Sequence, residues 1–490
     1  MDFLRIYNKL EVAVKKSLLS QGLRAKVMRG GAWLGAGSFA EQVTRFARNI
    51  LLARLLAPSA FGTMAIVFSC QSLIASFADV GLWPAIIHNP RGAEKAYLNA
   101  AWWLGFGRSV GIYLIIFAAA PFVAHFYGNA DLSVLLRVTF VSTIIDGMSS
   151  PRAILAHKEM KFDRCAIITH GGNISGVLLT IILSFVLRDV WALAIGYCGE
   201  NAFRCILSYI VCPGLPSLKW DMHAIRDLLK FSRGMFGLSF LKLIFSRTDV
   251  FVLGKLVSPT ELGIYILAVN LVQTPTYFLI NILAQTLLPA FSHIQSERER
   301  VNRILAEMTS WVILLGLPVV VVIWLCGPSL LTVAYGARYA AAASALAVAG
   351  GVMLVNVLDS FITGLFLATG RPSLHRRAAL TSAITMMIVI YPACKGLGLV
   401  GGQVASLIAT AASYALQVVR ARELMGLTFR YTKAFITAAL VSAGIVVAYA
   451  GVHSLGVAIN PLANIVIAAV ACIAAYVLYV PIFAKTRETA

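Results

Sequence analysis

The sequence predicts an all-α, polytopic membrane protein with about fourteen transmembrane helices. Composition is the first reason. Of 490 residues, 59% are hydrophobic and only 13% are charged, against about 25% charged residues in a soluble globular chain. So few charges cannot cover a water-soluble fold of this size, and the mean hydropathy of +0.82 agrees. The second reason is the grouping of apolar residues into runs near the ~20 residues that span a bilayer core. The third is the placing of basic residues between those runs, with a strong bias to one side.

The runs fall near 31–55, 61–88, 99–121, 133–156, 165–187, 190–212 and 234–254, then 262–290, 306–327, 341–369, 378–394, 397–419, 434–452 and 462–484. They group into an N-terminal six-helix lobe over 31–212, a cytoplasmic linker over 213–233 and a C-terminal six-helix lobe over 234–420. A further two-helix hairpin covers 434–484. Residues 1–30 carry seven Lys/Arg and no long apolar core. Apolar and basic residues alternate there at helical spacing, which predicts a cytoplasmic or interfacial helix rather than a cleaved signal.

The positive-inside rule tests the division. With the N-terminus inside, 29 of the 41 basic residues fall in cytoplasmic segments. The opposite side holds only Arg54, Arg188, Lys255, Arg338 and Lys395. A different span count scrambles this alternation. Both termini are therefore expected in the cytoplasm, on a multi-pass inner-membrane protein. The net charge of +20 reads as loop charge that sets topology, not as a nucleic-acid surface. It is also compatible with an anionic substrate.

Eight cysteines are present, none in a CxxC and most inside apolar runs. Neither a disulfide framework nor a zinc site is expected. Cys198, Cys205 and Cys212 recur every seven residues, a spacing that suits a small-residue packing face.

A repeat organises the chain. Residues 54–62 read RLLAPSAFG and residues 255–263 read KLVSPTELG. Further anchors follow in the same order. LWPA at Leu82–Ala85 matches LLPA at Leu287–Ala290, and Tyr127-Gly128 matches Tyr335-Gly336. LAHKEMKFDR from Leu155 pairs loosely with LATGRPSLHR from Leu367. The copies start at the first and seventh spans, so the two lobes have parallel topology. A substrate path is expected between them, worked by alternating access. In the Pro-Ser/Thr-x-x-Gly element the proline ends one helix and starts the next, with Ser59 or Thr260 as expected caps.

These residues also carry a family resemblance. ARLLAPSAFGTMAIVFS, FADVGLWPAII and SRTDVFVLGKLVSPTELGIYILAVN resemble the Wzx-like polysaccharide flippases of the multidrug/oligosaccharidyl-lipid/polysaccharide exporter superfamily. YGNADLSVLLRV and YGARYAAAASALAV extend the pattern, and the resemblance covers about residues 30–425. It implies a two-lobed transporter of undecaprenyl-pyrophosphate-linked oligosaccharide repeat units, working in exopolysaccharide, capsule or O-antigen biosynthesis. A polysaccharide polymerase or co-polymerase complex is the implied protein partner, membrane lipid surrounds the chain, and no nucleic acid is involved.

Ionisable residues inside spans cost about 2.5–3.5 kcal/mol each on insertion scales, so they mark sites or pairs. Glu41, Arg45 and Arg48 share one face of the first span. A Glu41–Arg45 pair leaves Arg48 for a phosphate, which suits the planar guanidinium fork. Asp79 lies in the second span, Arg108 in the third and Asp146 in the fourth. Lys242 and Asp249 share a face of the seventh, with Arg247 nearby, and the family resemblance also implies charge before GKL there. These nine residues are the substrate-binding candidates. For each, the plainer reading is an ion pair that fixes helix packing. Glu200 and Arg204, four residues apart, are expected to pair locally; His170 reads as a packed histidine; Asp359 lies deep in the tenth span.

No catalytic, nucleotide-binding or cofactor signature is present: GxxxxGK[ST], HExxH and G-x-S-x-G are all missing. A multidrug or small-metabolite exporter of the same superfamily is the alternative reading. A polymerase or ligase fits less well, because the longest periplasmic connections, near 122–132 and 328–340, hold only about a dozen residues.

Overall fold

The computed structural model describes residues 23–78, 86, 90–217, 221–232, 238–294, 297–426, 432–454 and 460–488. Among them every regular element is helical. The expected interfacial helix falls mostly on 1–22, outside the described residues, as does Asp79.

The helices are α1 (Leu23–Leu55), α2 (Pro58–Ala78), α3 (Lys95–Tyr127), α4 (Asp131–Thr139), α5 (Val141–Gly147), α6 (Ala153–Lys158) and α7 (Phe162–Ala166). Then come α8 (Gly172–Leu187), α9 (Trp191–Val211), α10 (Met222–Ser232), α11 (Leu238–Leu256) and α12 (Pro259–Ile294). The chain closes with α13 (Arg298–Tyr335), α14 (Ala343–Ala368), α15 (Pro372–Leu397), α16 (Leu399–Met425), α17 (Thr432–Ser454) and α18 (Pro461–Glu488).

Among the described residues, nine stretches are long and apolar enough to cross a membrane, against the fourteen expected. Helices α1, α9 and α11 carry ionisable side chains and are not among the nine. Large apolar side chains point outward, including Ile115, Phe122, Ile388 and Val447. Such a surface suits lipid rather than water. The chain is a multi-pass membrane protein.

The helices form two compact units. One comprises Met1–Leu55 and Cys70–Phe236, the other Leu56–Ser69 and Gly237–Ala490.

In the first unit, α8 and α9 form an antiparallel pair that packs tightly because it is short of side chains at the seam. A Cβ built at Gly176 falls 2.3 Å from Glu200, one at Gly172 2.8 Å from the Arg204 backbone, and one at Gly196 2.1 Å from Thr180. Between α7 and α8 the backbone makes a π turn over Ile167–Gly171. Such a turn inserts an extra residue and rotates the side chains that follow it.

In the second unit, Leu287, Phe291, Leu305, Phe361 and Phe366 form one apolar core. Helix α17 packs on α13 through Val441 and Ile445, with Val321 and Leu325 against them. Helix α18 is tied to α13 by Asn464 Nδ2, which donates to Ser329 Oγ at 2.9 Å, and by the Tyr476 hydroxyl, which donates to the Leu315 carbonyl at 2.7 Å.

The sequence repeat is also a backbone repeat. Helices α1 and α11 end at Leu55 and Leu256, and α2 and α12 begin at Pro58 and Pro259. Proline at the first helical position forfeits no hydrogen bond, because that N–H has no intrahelical partner. The expected caps need correction. With proline at that position, the capping residue is the one before it. Ser258 Oγ accepts from the Glu261 N–H at 3.2 Å, and Glu261 returns a carboxylate oxygen to the Ser258 N–H at 2.9 Å. This is a reciprocal capping box; the first copy has Ala57 there.

The two Tyr-Gly anchors end α3 and α13. Gly128 (φ 66, ψ 27) stops α3 in the left-handed helical conformation, whereas Gly336 (φ 109, ψ 161) stops α13 in an extended, positive-φ conformation that favours glycine. The loosest anchor marks a shared turn but is two residues out of register, since the sequence pairing sets Met160 against Pro372. Met160 (φ 56) and Gly370 (φ 69) end α6 and α14 in the same turn. The Lys161 N–H reaches the Ala156 carbonyl at 2.8 Å and the Arg371 N–H reaches Phe366 at 2.8 Å.

Within the second unit the two Pro-Ser/Thr-x-x-Gly elements touch each other. A Cβ at Gly62 would fall 1.9 Å from the Pro259 carbonyl oxygen, and one at Gly263 would fall 1.8 Å from that of Pro58. Each copy's glycine is the space that the other copy's first turn occupies. Arg338 Nη2 adds a tie to the Leu56 carbonyl at 3.1 Å.

Candidate functional site

The first unit holds an ionic chain that runs through three elements. Arg45 on α1 donates from Nε to Glu41 Oε1 at 2.8 Å and from Nη2 to Glu200 Oε1 on α9 at 2.5 Å. The other Glu41 oxygen shares a hydrogen bond with His170 Nδ1, at 2.7 Å. The order is His170, Glu41, Arg45, Glu200.

Local sequence makes this geometry. Glu41 and Arg45 are one turn apart on the same face. One turn earlier, Gly37 leaves room for the imidazole: a Cβ there would fall 2.4 Å from His170 Cδ2. The π turn carries His170, and Gly176 brings Glu200 close. The Glu41, His170 and Glu200 side chains are 13%, 14% and 8% exposed, so the charges are held away from bulk water, and pairing offsets their desolvation.

Arg48 lies on the same helix and is half-buried. Its Nη2 donates to Asn49 Oδ1 at 3.2 Å. Among the described residues no carboxylate lies within ion-pair distance of it. Formal charge explains its place. Arg45 alone faces two carboxylates; Arg48 brings the four-residue set to neutrality.

Glu200 and Arg204 do not pair with each other, contrary to expectation. Arg204 donates to Asp146 at 3.0 Å and to Asn201 at 2.6 Å. The carboxylate of Glu200 is committed to Arg45, so Arg204 turns to α5. Asp146 is thus an exposed partner of Arg204, not a part of the ionic chain. Arg108 lies half-buried on α3 of the same unit.

The other candidates lie in the second unit. Lys242 lies on α11 and Arg247 is exposed there. Asp249 is buried and fully engaged: the Tyr265 hydroxyl donates to it at 2.7 Å, and Gln403 Nε2 donates to that hydroxyl at 2.7 Å. This ties α11, α12 and α16. The hydrogen bonds are those that the plainer, packing reading expects. Asp359 meets only neutral donors, the Gln417 amide at 2.5 Å and the Ser413 hydroxyl at 3.3 Å. It is a half-buried carboxylate of the second unit that the sequence signalled.

Glu200 and His170 belong with Glu41 and Arg45, yet neither stood among the substrate-binding candidates. The sequence holds a partial signal: His170 is followed by Gly171 and Gly172, and Glu200 lies in a helix with Gly196 and Gly199. Small residues beside an ionisable group permit the close approach that buries it.

Residues 51–344 match the model of a family described as polysaccharide biosynthesis protein. The chain belongs to that family. This polysaccharide biosynthesis protein is 20% identical to the lipopolysaccharide biosynthesis protein WzxC of Escherichia coli (strain K12), over 71% of each chain. It is 22% identical to the succinoglycan biosynthesis transport protein ExoT of Rhizobium meliloti (strain 1021), over 60% of each. Its fold is that of the lipid II flippase MurJ in an inward closed conformation, with a TM-score of 0.75 over 93% of this chain and 99% of that one. At 14% identity that likeness is one of fold. The family expected from the Pro-Ser/Thr-x-x-Gly elements and their flanks is therefore the right one.

Proposed function

We propose that this chain is a flippase that moves lipid-linked oligosaccharide repeat units across the bacterial inner membrane by alternating access, with both termini in the cytoplasm. The cargo is carried on undecaprenyl pyrophosphate and supplies exopolysaccharide, capsule or O-antigen assembly. The family, the names of the relatives and the fold support this reading. The observation that carries it at the level of residues is Arg48, a half-buried guanidinium with no carboxylate within ion-pair distance among the described residues. Holding such a charge away from water is costly, and a diphosphate head group offers it a matching acceptor.

In this reading Glu41, Arg45, Glu200 and His170 form a scaffold that orients the face bearing Arg48. Arg108 lies in the same unit and is the second candidate cation. The lobes over 31–212 and 234–420 move as the alternating bodies, except that Leu56–Ser69 goes with the second unit, and the hairpin over 434–484 packs at the periphery. Downstream polysaccharide polymerase or co-polymerase proteins take up the delivered unit.

Deletion with complementation tests the reading. The deletion strain should lose its surface polysaccharide and accumulate lipid-linked repeat units in the cytoplasmic leaflet. Wild-type protein should restore export. Normal polysaccharide with no accumulation contradicts the proposal.

A further inference from the structure

A second basic site lies in the first unit, built from residues that the ionic chain does not use. It is a cavity of about 400 Å³. Lys95 at the start of α3, Arg152 before α6, and Lys161 and Arg164 at α7 line it, with Glu159 as the lone acid. Four cations against one carboxylate leave a surplus of three positive charges. Leu98, Leu155 and Pro213 give the same cavity an apolar wall.

Loop cations that set topology explain a basic surface, but not this arrangement. Topology needs only their number on one side. Here they converge from three stretches of chain on one concave volume. The wall itself is fixed: an Arg152 Nη1 donates to the Pro213 carbonyl at 2.9 Å, holding the start of α6 against the end of α9. Lys161 is engaged by Glu159 at 2.5 Å. Lys95 and Arg164 have no carboxylate within ion-pair distance among the described residues, and both side chains are exposed. They are the two charges available to a ligand.

We propose that this cavity binds the phosphate head group of an anionic membrane phospholipid. Basic pockets at the surface ends of membrane helices suit such head groups. The guanidinium of Arg164 and the ammonium of Lys95 meet the phosphate diester. The apolar wall of Leu98, Leu155 and Pro213 faces the glycerol and the first methylenes. A free phosphate ion uses only the charged half of this lining, and a lipid uses both. The site stands apart from the transport reading and does not depend on it.

The test is lipid retention by the full-length protein in detergent, read by native mass spectrometry with added phosphatidylglycerol. Phosphatidylcholine is the zwitterionic control. Lys95→Gln/Arg164→Gln should lower phosphatidylglycerol retention about thirtyfold, as expected from losing two contacts to the head group. Arg298→Gln/Arg303→Gln, with the same change in net charge outside the cavity, should leave it unchanged. Lys95→Arg/Arg164→Lys should restore it, and monodisperse elution of each variant checks folding. Equal retention by the cavity variant overturns the proposal. So does an equal loss in the control variant, which means general charge attraction. Retention of undecaprenyl pyrophosphate through these residues without phosphatidylglycerol also overturns it, since the site then belongs to the cargo.

Discussion

Arg45 and Glu200 are 155 residues apart in sequence and 2.5 Å apart in space. With Glu41 on the same guanidinium, they join α1 to α9 through charge. This relationship separates two arginines that look alike in the sequence. Removing Arg45 leaves two carboxylates without their cation, a loss of about 3–5 kcal/mol for a broken buried pair. Arg45→Ala should therefore lower the amount of folded protein in the membrane. Arg48→Ala removes no ion pair and should leave that amount unchanged while export is lost. Immunoblots of membranes, read beside surface polysaccharide, check both. Normal Arg45→Ala levels contradict the scaffold role.

Gly37 exists to seat His170. Gly37→Ala should displace the imidazole from Glu41 and cost about 1–3 kcal/mol through overpacking. In a His170→Ala background the same change should cost little, because the obstructing ring is gone. The two substitutions form a double-mutant cycle. Additive shifts in thermal midpoint show that the two residues do not interact.

The reciprocal contact of Gly62 and Gly263 has a sharper signature. A Cβ at either position meets a backbone carbonyl, which cannot rotate away. Gly62→Ala and Gly263→Ala should each destabilise by at least about 1–3 kcal/mol. Gly31→Ala is the contrast. Nothing lies within 4 Å of a Cβ there, so the change should be neutral or stabilising by up to about 1 kcal/mol, from helix propensity. Thermal midpoints of the three variants decide it. A Gly62→Ala protein as stable as wild type is incompatible with the contact.

Tyr265 bridges Asp249 and Gln403 inside the second unit. Tyr265→Phe removes only the hydroxyl. It leaves a buried carboxylate and a buried amide each short of a partner, at a cost of about 1–3 kcal/mol. The expected result is a lower thermal midpoint with export retained in the protein that folds. Loss of export at full stability moves Asp249 from packing to transport.

The helices and the repeat were legible because their signals are local. Apolar runs mark spans, proline marks where α2 and α12 begin, and Tyr-Gly marks where α3 and α13 end. The shared face of Glu41, Arg45 and Arg48 followed from helical spacing alone. Partner choice was not legible. Spacing rules see only the same helix, so they paired Glu200 with Arg204, whereas competition from α1 and α5 sends each elsewhere. The π turn left no residue pattern to read, and it is what carries His170. The repeat was evident as two copies, but nothing in either copy said that their glycines interlock.

The most direct measurement of the central claim uses purified protein in proteoliposomes that carry an undecaprenyl-pyrophosphate-linked oligosaccharide in both leaflets. A sugar-modifying enzyme outside reports the exposed pool. Wild-type protein should bring the inner-leaflet pool out, and Arg48→Ala, incorporated equally, should leave it protected. An inner-leaflet pool that stays protected with wild-type protein contradicts the account.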